Sequence, residues 1–129
     1  MNQHNDKSNL RQRLSDIQYR VTQNCETEKP FSGEYNYCYE DGVYRCVCCG
    51  IKLFDSKTKF DSGSGWPAFF KPASDDCITT REDNTLGMTR TEIMCAKCDA
   101  HLGHMFPDGP QPTGVRYCVN SASLDLDSR

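Results

Sequence analysis

The spacing of hydrophobic and polar residues changes along the chain, with a boundary near Pro30. Before it, Leu10, Leu14, Ile17 and Val21 recur at intervals of three and four, which predicts one short amphipathic helix over 10–21 with Ser8 as its N-cap. After it, short β-branched and aromatic runs alternate with turn signals, as is typical of antiparallel strands. Six strands are predicted, at 44–47, 51–54, 77–80, 86–91, 102–106 and 115–121. We therefore expect a mainly β body with a short N-terminal helix.

The length of 129 residues predicts a single domain. We expect a flexible N-terminus over residues 1–8, a folded domain over 9–124 and a flexible polar tail over 125–129. Hydrophobic residues make up 36% of the chain and charged residues 26%, so the core should be modest. A metal or another cross-link would help to hold such a core.

Charge and hydropathy exclude two classes of partner. The formal net charge of -3 provides no basic field for nucleic acid, whose phosphates are bound by clustered Lys and Arg. No apolar run approaches the roughly 18 residues of a membrane helix, and the polar start lacks the apolar stretch of a secretion signal. We expect a monomeric cytoplasmic protein.

The cysteines indicate metal binding and redox chemistry rather than structural disulfides. Their number, nine, is odd, and four of them form two Cys-x-x-Cys pairs, Cys46 with Cys49 and Cys95 with Cys98. Two such pairs can aim four thiolates at one tetrahedral ion, which predicts one structural zinc per chain. The alternative of a redox dithiol would need a βαβ setting, and the pattern lacks one. The pairs are so far apart that the metal should join two separate hairpins.

Some alternatives remain open at this metal site. Cys48 lies between the ligands, either as a buried spectator or in exchange with Cys49. His101 and His104 are also possible ligands, although four thiolates make them unnecessary. A zinc hydrolase is disfavoured because a four-thiolate site leaves no open position for a water molecule.

A second cysteine motif indicates catalysis. In a strand over 114–121, Arg116, Cys118 and Asn120 share one face, because residues two apart point to the same side. The guanidinium would favour the thiolate of Cys118, which is the nucleophilic form. A lone Cys on a strand is otherwise most often an inert core residue, and the polar flanks argue against that interpretation here. His101 and His104 follow the second metal pair and could supply an acid or base.

Several motifs together closely resemble the methionine-R-sulfoxide reductases of the B type, in order from about Ile17 to Leu124. They are the two Cys-x-x-Cys pairs, Lys59-Phe-Asp-Ser-Gly-Ser-Gly-Trp66-Pro-Ala-Phe69, His101-Leu-Gly-His104, Asp108-Gly-Pro110 and Gly114-x-Arg116-Tyr-Cys118-x-Asn120-Ser121. The resemblance implies two antiparallel β-sheets with a short N-terminal helix, clipped by zinc. It also implies a substrate, the R epimer of methionine sulfoxide in proteins or as the free amino acid.

The resemblance further implies roles for individual residues. Cys118 would be the nucleophile, surrounded by His101, His104, Asp108, Arg116 and Asn120. We favour His104 as the acid that protonates the sulfoxide oxygen, leaving Cys118 as a sulfenic acid. Trp66, with help from Phe106, would hold the S-methyl group of the substrate. Without the resemblance, the preferred interpretation of Trp66 would be a core residue.

This sequence departs from many relatives at one catalytic position. Where they carry a resolving Cys it has Ser64, which cannot form a disulfide. The other thiols outside the metal site are Cys25, Cys38, Cys48 and Cys77. We favour Cys25, because some relatives carry a resolving Cys in the segment after the helix, with thioredoxin reducing the resulting disulfide. Direct reduction by an external thiol is the alternative.

A non-catalytic binding module on a similar zinc-clipped β scaffold is the main rival class, since a fold does not determine a function. Such a module would have no reason to carry the Arg116, Cys118 and Asn120 face together with two histidines. Catalysis is therefore the favoured interpretation.

Overall fold

The computed structural model describes residues 10–84 and 89–129. Two helices come first, α1 (Leu10–Arg13) and α2 (Asp16–Asn24). Nine strands follow: β1 (Gly42–Cys46), β2 (Lys52–Asp55), β3 (Lys59–Phe60), β4 (Ala68–Phe69), β5 (Ile78–Asp83), β6 (Arg90–Cys95), β7 (His101–Phe106), β8 (Arg116–Val119) and β9 (Leu124–Ser128). Short 3₁₀ helices occupy Ser56–Thr58 and Ser121–Ser123. Neither α1 nor α2 is long and apolar enough to cross a membrane, and the same holds throughout the described chain.

The strands form two antiparallel sheets, which confirms the expected fold class. The smaller sheet has the order β2-β1-β9 and the larger one the order β3-β4-β8-β7-β6-β5. All six predicted strands have counterparts, with shifted ends. The fourth was predicted over 86–91, of which 86–88 lie outside the described residues, and β6 runs on to Cys95. The sequence pattern missed β3, β4 and β9.

The single predicted helix over 10–21 is wrong, because it is two helices. Ser15 interrupts it by accepting a hydrogen bond from the Gln18 backbone N–H at 3.3 Å, while the Gln18 side chain accepts one from the Ser15 N–H at 2.8 Å. This reciprocal pair is a capping box, which begins a new helix. The proposed N-cap Ser8 lies outside the described residues.

Most of the segment 125–129, for which we expected a flexible tail, belongs to β9. This strand pairs with β1 along five residues, from Cys46 opposite Leu124 to Gly42 opposite Ser128. Leu124 is buried, and Asp127 forms an ion pair with Arg45 at 3.0 Å. Asp127, one of the acidic residues that suggested fraying, therefore has a cationic partner in the folded chain.

A cluster of aromatic rings joins the two sheets. Phe69 of the larger sheet stacks on Phe54 of the smaller one with ring centroids 4.4 Å apart, and it meets Tyr44 edge-on at 5.2 Å. All three side chains are fully buried. Burial of each ring contributes strongly to the core, and aromatic pairs of this kind add about 0.5–1.5 kcal/mol. The candidate sites lie at the ends and on one face of this sheet framework.

Candidate active site

Four thiols that are far apart in the sequence meet between the sheets. Cys46 is the last residue of β1 and Cys49 follows it, while Cys95 is the last residue of β6 and Cys98 follows it. The Sγ atoms of Cys46 and Cys98 are 3.6 Å apart, and those of Cys49 and Cys95 are 3.5 Å apart. A tetrahedral zinc ion with bonds of about 2.3 Å would place its sulfurs about 3.8 Å apart. The group could therefore hold one metal ion with little adjustment.

The two pairs sit in matching turns. The Gly50 N–H donates to the Cys46 carbonyl and the Asp99 N–H to the Cys95 carbonyl, both at 2.9 Å. Gly50 and Asp99 both have left-handed backbones, with φ of 84° and 68°. Cys48 is buried outside the four-thiol group, and its Sγ accepts a hydrogen bond from the Gln23 amide at 3.5 Å. This arrangement favours Cys49 over Cys48 as the fourth ligand.

A cavity of about 320 Å³ opens on the face of β7 and β8. Six residues singled out from the sequence line it, namely Trp66, His104, Phe106, Arg116, Cys118 and Asn120. The remaining lining residues are Thr27, Ser64, Arg90 and Gly103. His101, Asp108 and Cys25 were also expected at the site, but they do not line this cavity.

Strand pairing brings the central groups together. In the antiparallel pair of β7 and β8, His104 lies opposite Cys118 and Phe106 lies opposite Arg116. Opposed residues share a face, so all four side chains project toward the cavity. Gly103 makes this close pairing possible, because a Cβ atom there would overlap the Cys118 carbonyl group.

Cys118 lies beside a fixed cation. Arg116 Nη1 donates to Cys118 Sγ at 2.9 Å, and Ser64 Oγ lies 3.5 Å from the same sulfur. Asp108 accepts two hydrogen bonds from the guanidinium, at 2.9 and 3.1 Å, and Phe106 lies beneath it with 4.4 Å to the ring centroid. The carboxylate raises the pKa of Arg116, and Arg116 lowers the pKa of Asp108. Asp108 thus acts through Arg116, which it holds in place to donate to the Cys118 sulfur.

Asn120 is buried and held by two hydrogen bonds. Its Oδ1 accepts from the Glu28 backbone N–H at 3.0 Å, and its Nδ2 donates to the Leu102 carbonyl at 3.0 Å. The amide nitrogen has a second N–H, which Asn120 can offer to a molecule in the cavity.

The sequence pattern missed Glu28, which connects several parts of the site. Its carboxylate accepts from the backbone N–H groups of Ser121 and Ala122 at 3.0 and 2.9 Å. Its carbonyl accepts from Trp66 Nε1 at 3.0 Å. Burial raises the pKa of Glu28 despite these hydrogen bonds. One residue therefore positions both Trp66 and Asn120, on two sides of the cavity.

The two histidines have different environments. His104 Nε2 is 2.9 Å from Asp83 Oδ2, and Asp83 also pairs with Arg90 at 3.3 Å. His101 is 2% exposed, with Nε2 at 3.6 Å from Glu92 Oε2, and burial lowers its pKa. Glu92, His101 and His104 form a second group whose ligand atoms could approach one cation. Arg81, however, already pairs with Glu92.

The candidate resolving thiols are dispersed. Cys25 is exposed as the C-cap of α2, in contact with Arg81, and Thr27 two residues later lines the cavity. Cys38 is half-buried and contacts Tyr44. Cys77 is buried and donates to backbone carbonyls. Cys118 is the one cysteine among the described residues that lines the cavity.

A thiol beside a fixed guanidinium, with a carboxylate-bound imidazole and an aromatic wall, defines a site for cysteine-based redox chemistry. Comparison with known proteins gives the family. A model of the SelR domain matches residues 14–128. The chain belongs to this family, the B-type methionine sulfoxide reductases.

Curated relatives agree with this assignment along most of the chain. A peptide methionine sulfoxide reductase MsrB from Pseudomonas fluorescens (strain Pf0-1) is 60% identical over 116 residues, covering 90% of this chain and 88% of that protein. The protein of the same name from Hahella chejuensis is 61% identical over 118 residues, covering 92% and 85%. One from Thioalkalivibrio sulfidiphilus is 56% identical over 117 residues, covering 91% and 85%.

Proposed function

We propose that this protein reduces the R epimer of methionine sulfoxide, in proteins or as the free amino acid, to methionine. The observation that supports this most strongly is the Cys118 thiol, 2.9 Å from the Arg116 guanidinium in an aromatic-walled cavity. The names of the relatives, peptide methionine sulfoxide reductases, support methionine sulfoxide reduction as the reaction.

Substrate binding is assigned to the aromatic wall. Trp66 and Phe106 receive the S-methyl group, since contacts of sulfur and methyl with aromatic rings are favourable by about 0.3–1.5 kcal/mol. The hydrogen bond from Trp66 Nε1 to Glu28 fixes the plane of the indole before substrate arrives. The second N–H of Asn120 is available to a polar atom of the substrate.

The reductive step uses Cys118 and one proton. The Cys118 thiolate attacks the sulfoxide sulfur while an acid protonates the oxygen, a poor leaving group, so that an S–S bond forms and the S–O bond breaks. The released water then attacks the Cys118 sulfur, which breaks the S–S bond, frees methionine and returns a proton. One thiolate, one sulfoxide and one proton give one sulfenic acid on Cys118 and one thioether, methionine. The hydrogen bond from Arg116 Nη1 to Cys118 Sγ, at 2.9 Å, holds the nucleophile in place for the step.

His104 is our choice for the acid. It lies opposite Cys118 in the strand pair and lines the cavity. Asp83 binds its Nε2, which leaves Nδ1 as the nitrogen that can donate to the oxygen. His101 is buried beside Glu92 outside the cavity, so we assign it a supporting role.

Recycling requires a second thiol that attacks the sulfenic acid. Ser64 lies beside Cys118 but cannot form a disulfide, so the thiol must come from elsewhere. We propose that Cys25 attacks the sulfenic acid, releasing water and forming a disulfide with Cys118 that thioredoxin reduces. The exposure of Cys25 and its nearness to Thr27 support this role. Cys38, Cys48 and Cys77 are the alternative internal thiols, and direct attack by an external thiol is the other route.

We further propose that the four-thiolate group holds one structural zinc ion. Zinc would join the end of β1 to the end of β6, and with four protein ligands it would leave no position for substrate. A monomer in the reducing cytoplasm, where thiols stay free, completes the proposal.

The test is an assay of the separated R and S epimers of N-acetylmethionine sulfoxide, with dithiothreitol as reductant. We expect the wild type to reduce only the R epimer and Cys118→Ser to have no activity above background. Cys38→Ser is the matched control and should retain wild-type rates. Substantial activity in Cys118→Ser would refute the mechanism, and binding of the sulfoxide without turnover in the wild type would favour the rival binding module.

A further inference from the structure

Three exposed aromatic side chains form a ridge on the segment after α2. They are Phe31, Tyr37 and Tyr39, with 58%, 66% and 58% of their surfaces exposed. Ile17 is the other large hydrophobic residue exposed in the described part of the chain. Exposed apolar groups that gather in one place indicate an interaction surface more strongly than scattered ones do.

This aromatic ridge is continuous with the wall of the cavity. The Phe31 N–H donates to the Gly65 carbonyl at 2.7 Å, and Gly65 lies between the cavity residues Ser64 and Trp66. The Tyr37 ring stacks beside Phe31 with centroids 6.3 Å apart and planes 27° from parallel. Tyr39 is held against Lys59, whose Nζ lies 4.2 Å from the ring centroid. The ridge thus adjoins the cavity through the contact of Phe31 with Gly65.

The first residue of the ridge, Phe31, has a strained backbone conformation. Phe31 has a φ of 65°, a left-handed conformation that bulky side chains rarely adopt. The strain is not compensated by burial of its ring, which is largely exposed. Gly65 makes room for Phe31, because a Cβ atom there would lie 2.9 Å from Phe31 Cδ2. Strain of this kind persists where the surrounding structure enforces it, often at ligand-binding positions.

We propose that the aromatic ridge binds apolar side chains that flank the oxidised methionine in an extended polypeptide substrate. In an extended chain, side chains on one face repeat about every 6.6–7 Å, close to the spacing of the Phe31 and Tyr37 rings. With the sulfoxide in the cavity, neighbouring residues of the substrate would lie along the ridge. This inference rests on the proposed function and extends it to the surroundings of the sulfoxide.

The experiment compares three R-epimer substrates with dithiothreitol as reductant: N-acetylmethionine sulfoxide, a peptide with Leu and Phe around the sulfoxide, and a peptide with Ser and Gly there. The variants are Tyr37→Ser and Phe31→Asn, the latter because Asn tolerates positive φ. Ile17→Ser is the matched control, an exposed apolar residue outside the ridge.

We expect the wild type to prefer the apolar peptide in kcat/KM. Each ridge variant should lower the ratio of kcat/KM for the apolar peptide to that for the Ser/Gly peptide by about 2- to 12-fold. The Ile17→Ser ratio should equal that of the wild type. Equal losses of kcat/KM on all three substrates, or a wild type with no preference for the apolar peptide, would refute the proposed role of the ridge. The assays are repeated with thioredoxin, and the variants are sized by gel filtration. A loss seen only with thioredoxin would assign the ridge to the reductant instead, and a wild-type dimer that Tyr37→Ser disperses would assign it to a second copy. If no substrate is reduced at all, the proposed function itself fails.

Discussion

Replacement of Glu28 by Gln tests how the site is positioned. Glu28 is 5% exposed, and its two carboxylate oxygens accept the N–H groups of Ser121 and Ala122. The amide of Gln is almost the same size but has one acceptor oxygen and one NH₂ group. In the variant, the NH₂ group of Gln would therefore face the buried N–H group of Ser121 or Ala122, so that two donors meet. The packing volume would stay almost unchanged.

The structure suggests the magnitude of the effect. A hydrogen bond to a charged group contributes about 1.5–3 kcal/mol, and Glu28→Gln loses one of two. Burial raises the pKa of Glu28, so the neutral amide also avoids part of the desolvation cost of the carboxylate. We expect the free energy of unfolding at neutral pH to fall by about 1.5 kcal/mol, the lower end of that range.

The pKa shift gives this prediction a pH dependence. A carboxyl group whose pKa is raised in the folded state contributes its stability fully below the unfolded value of 4.5, and the contribution is lost as pH rises through the folded value. Gln does not titrate. The stability gap between wild type and Glu28→Gln should therefore widen as the pH falls from neutrality toward 4.5.

Urea unfolding measures stability, and fluorescence measures the site. Trp66 is the only tryptophan, so intrinsic emission reports the indole that Glu28 holds. We expect red-shifted emission and a higher KM for the sulfoxide in Glu28→Gln. Glu26→Gln is the control, because the Glu26 side chain forms a half-exposed ion pair with Arg20. If both variants match the wild type in stability and emission, Glu28 does not position the site.

Three further predictions concern the metal, recycling and acid stability. Cys49→Ser should lose zinc by elemental analysis and unfold, and a stable, active, metal-free variant would contradict this. Cys25→Ser should still release one methionine per enzyme in a single turnover but lose thioredoxin-dependent turnover, with dithiothreitol restoring it; undiminished thioredoxin turnover would assign the role elsewhere. Because burial lowers the pKa of His101, its contribution to stability is present above 6.5 and lost as pH falls toward the folded value, so urea unfolding of His101→Asn should show a weaker acid loss than the wild type. An equal acid loss would exclude His101 as its source.

The sequence predicted those strands whose pattern is visible within their own residues. Alternation and turn residues indicated six of the nine strands. β3 and β4 have two residues each, too few to show a period, and they form only because neighbouring strands pair with them. The helix break had a local signal, Ser15 followed three residues later by Gln18, which the apolar period concealed. β9 needed knowledge of its partner, since its acidic residues resemble a solvated tail until Arg45 is placed beside them.

The same distinction applies to the candidate site. Arg116 and Cys118 are two residues apart on one strand, so their contact followed from strand geometry. Glu28 and Asn120 are 92 residues apart, and no spacing rule connects them. Asp83 is 21 residues from His104 and reaches it only because β5, β6 and β7 are neighbours in the larger sheet. Contacts of this kind depend on tertiary structure.

Asn120 shows why such a distant contact bears on function. It is the N-cap residue of the 3₁₀ helix Ser121–Ser123, a position where an Asn side chain usually bonds the first N–H groups of the helix. Here it makes no capping hydrogen bond, because the carboxylate of Glu28 accepts from Ser121 and Ala122 instead. The Asn120 amide is thereby free to turn toward the cavity, where the Glu28 backbone N–H holds it. The carbonyl oxygen of Glu28 also accepts the hydrogen bond from Trp66 Nε1. A displacement of Glu28 must therefore move Asn120 and Trp66, which lie on two sides of the cavity, together.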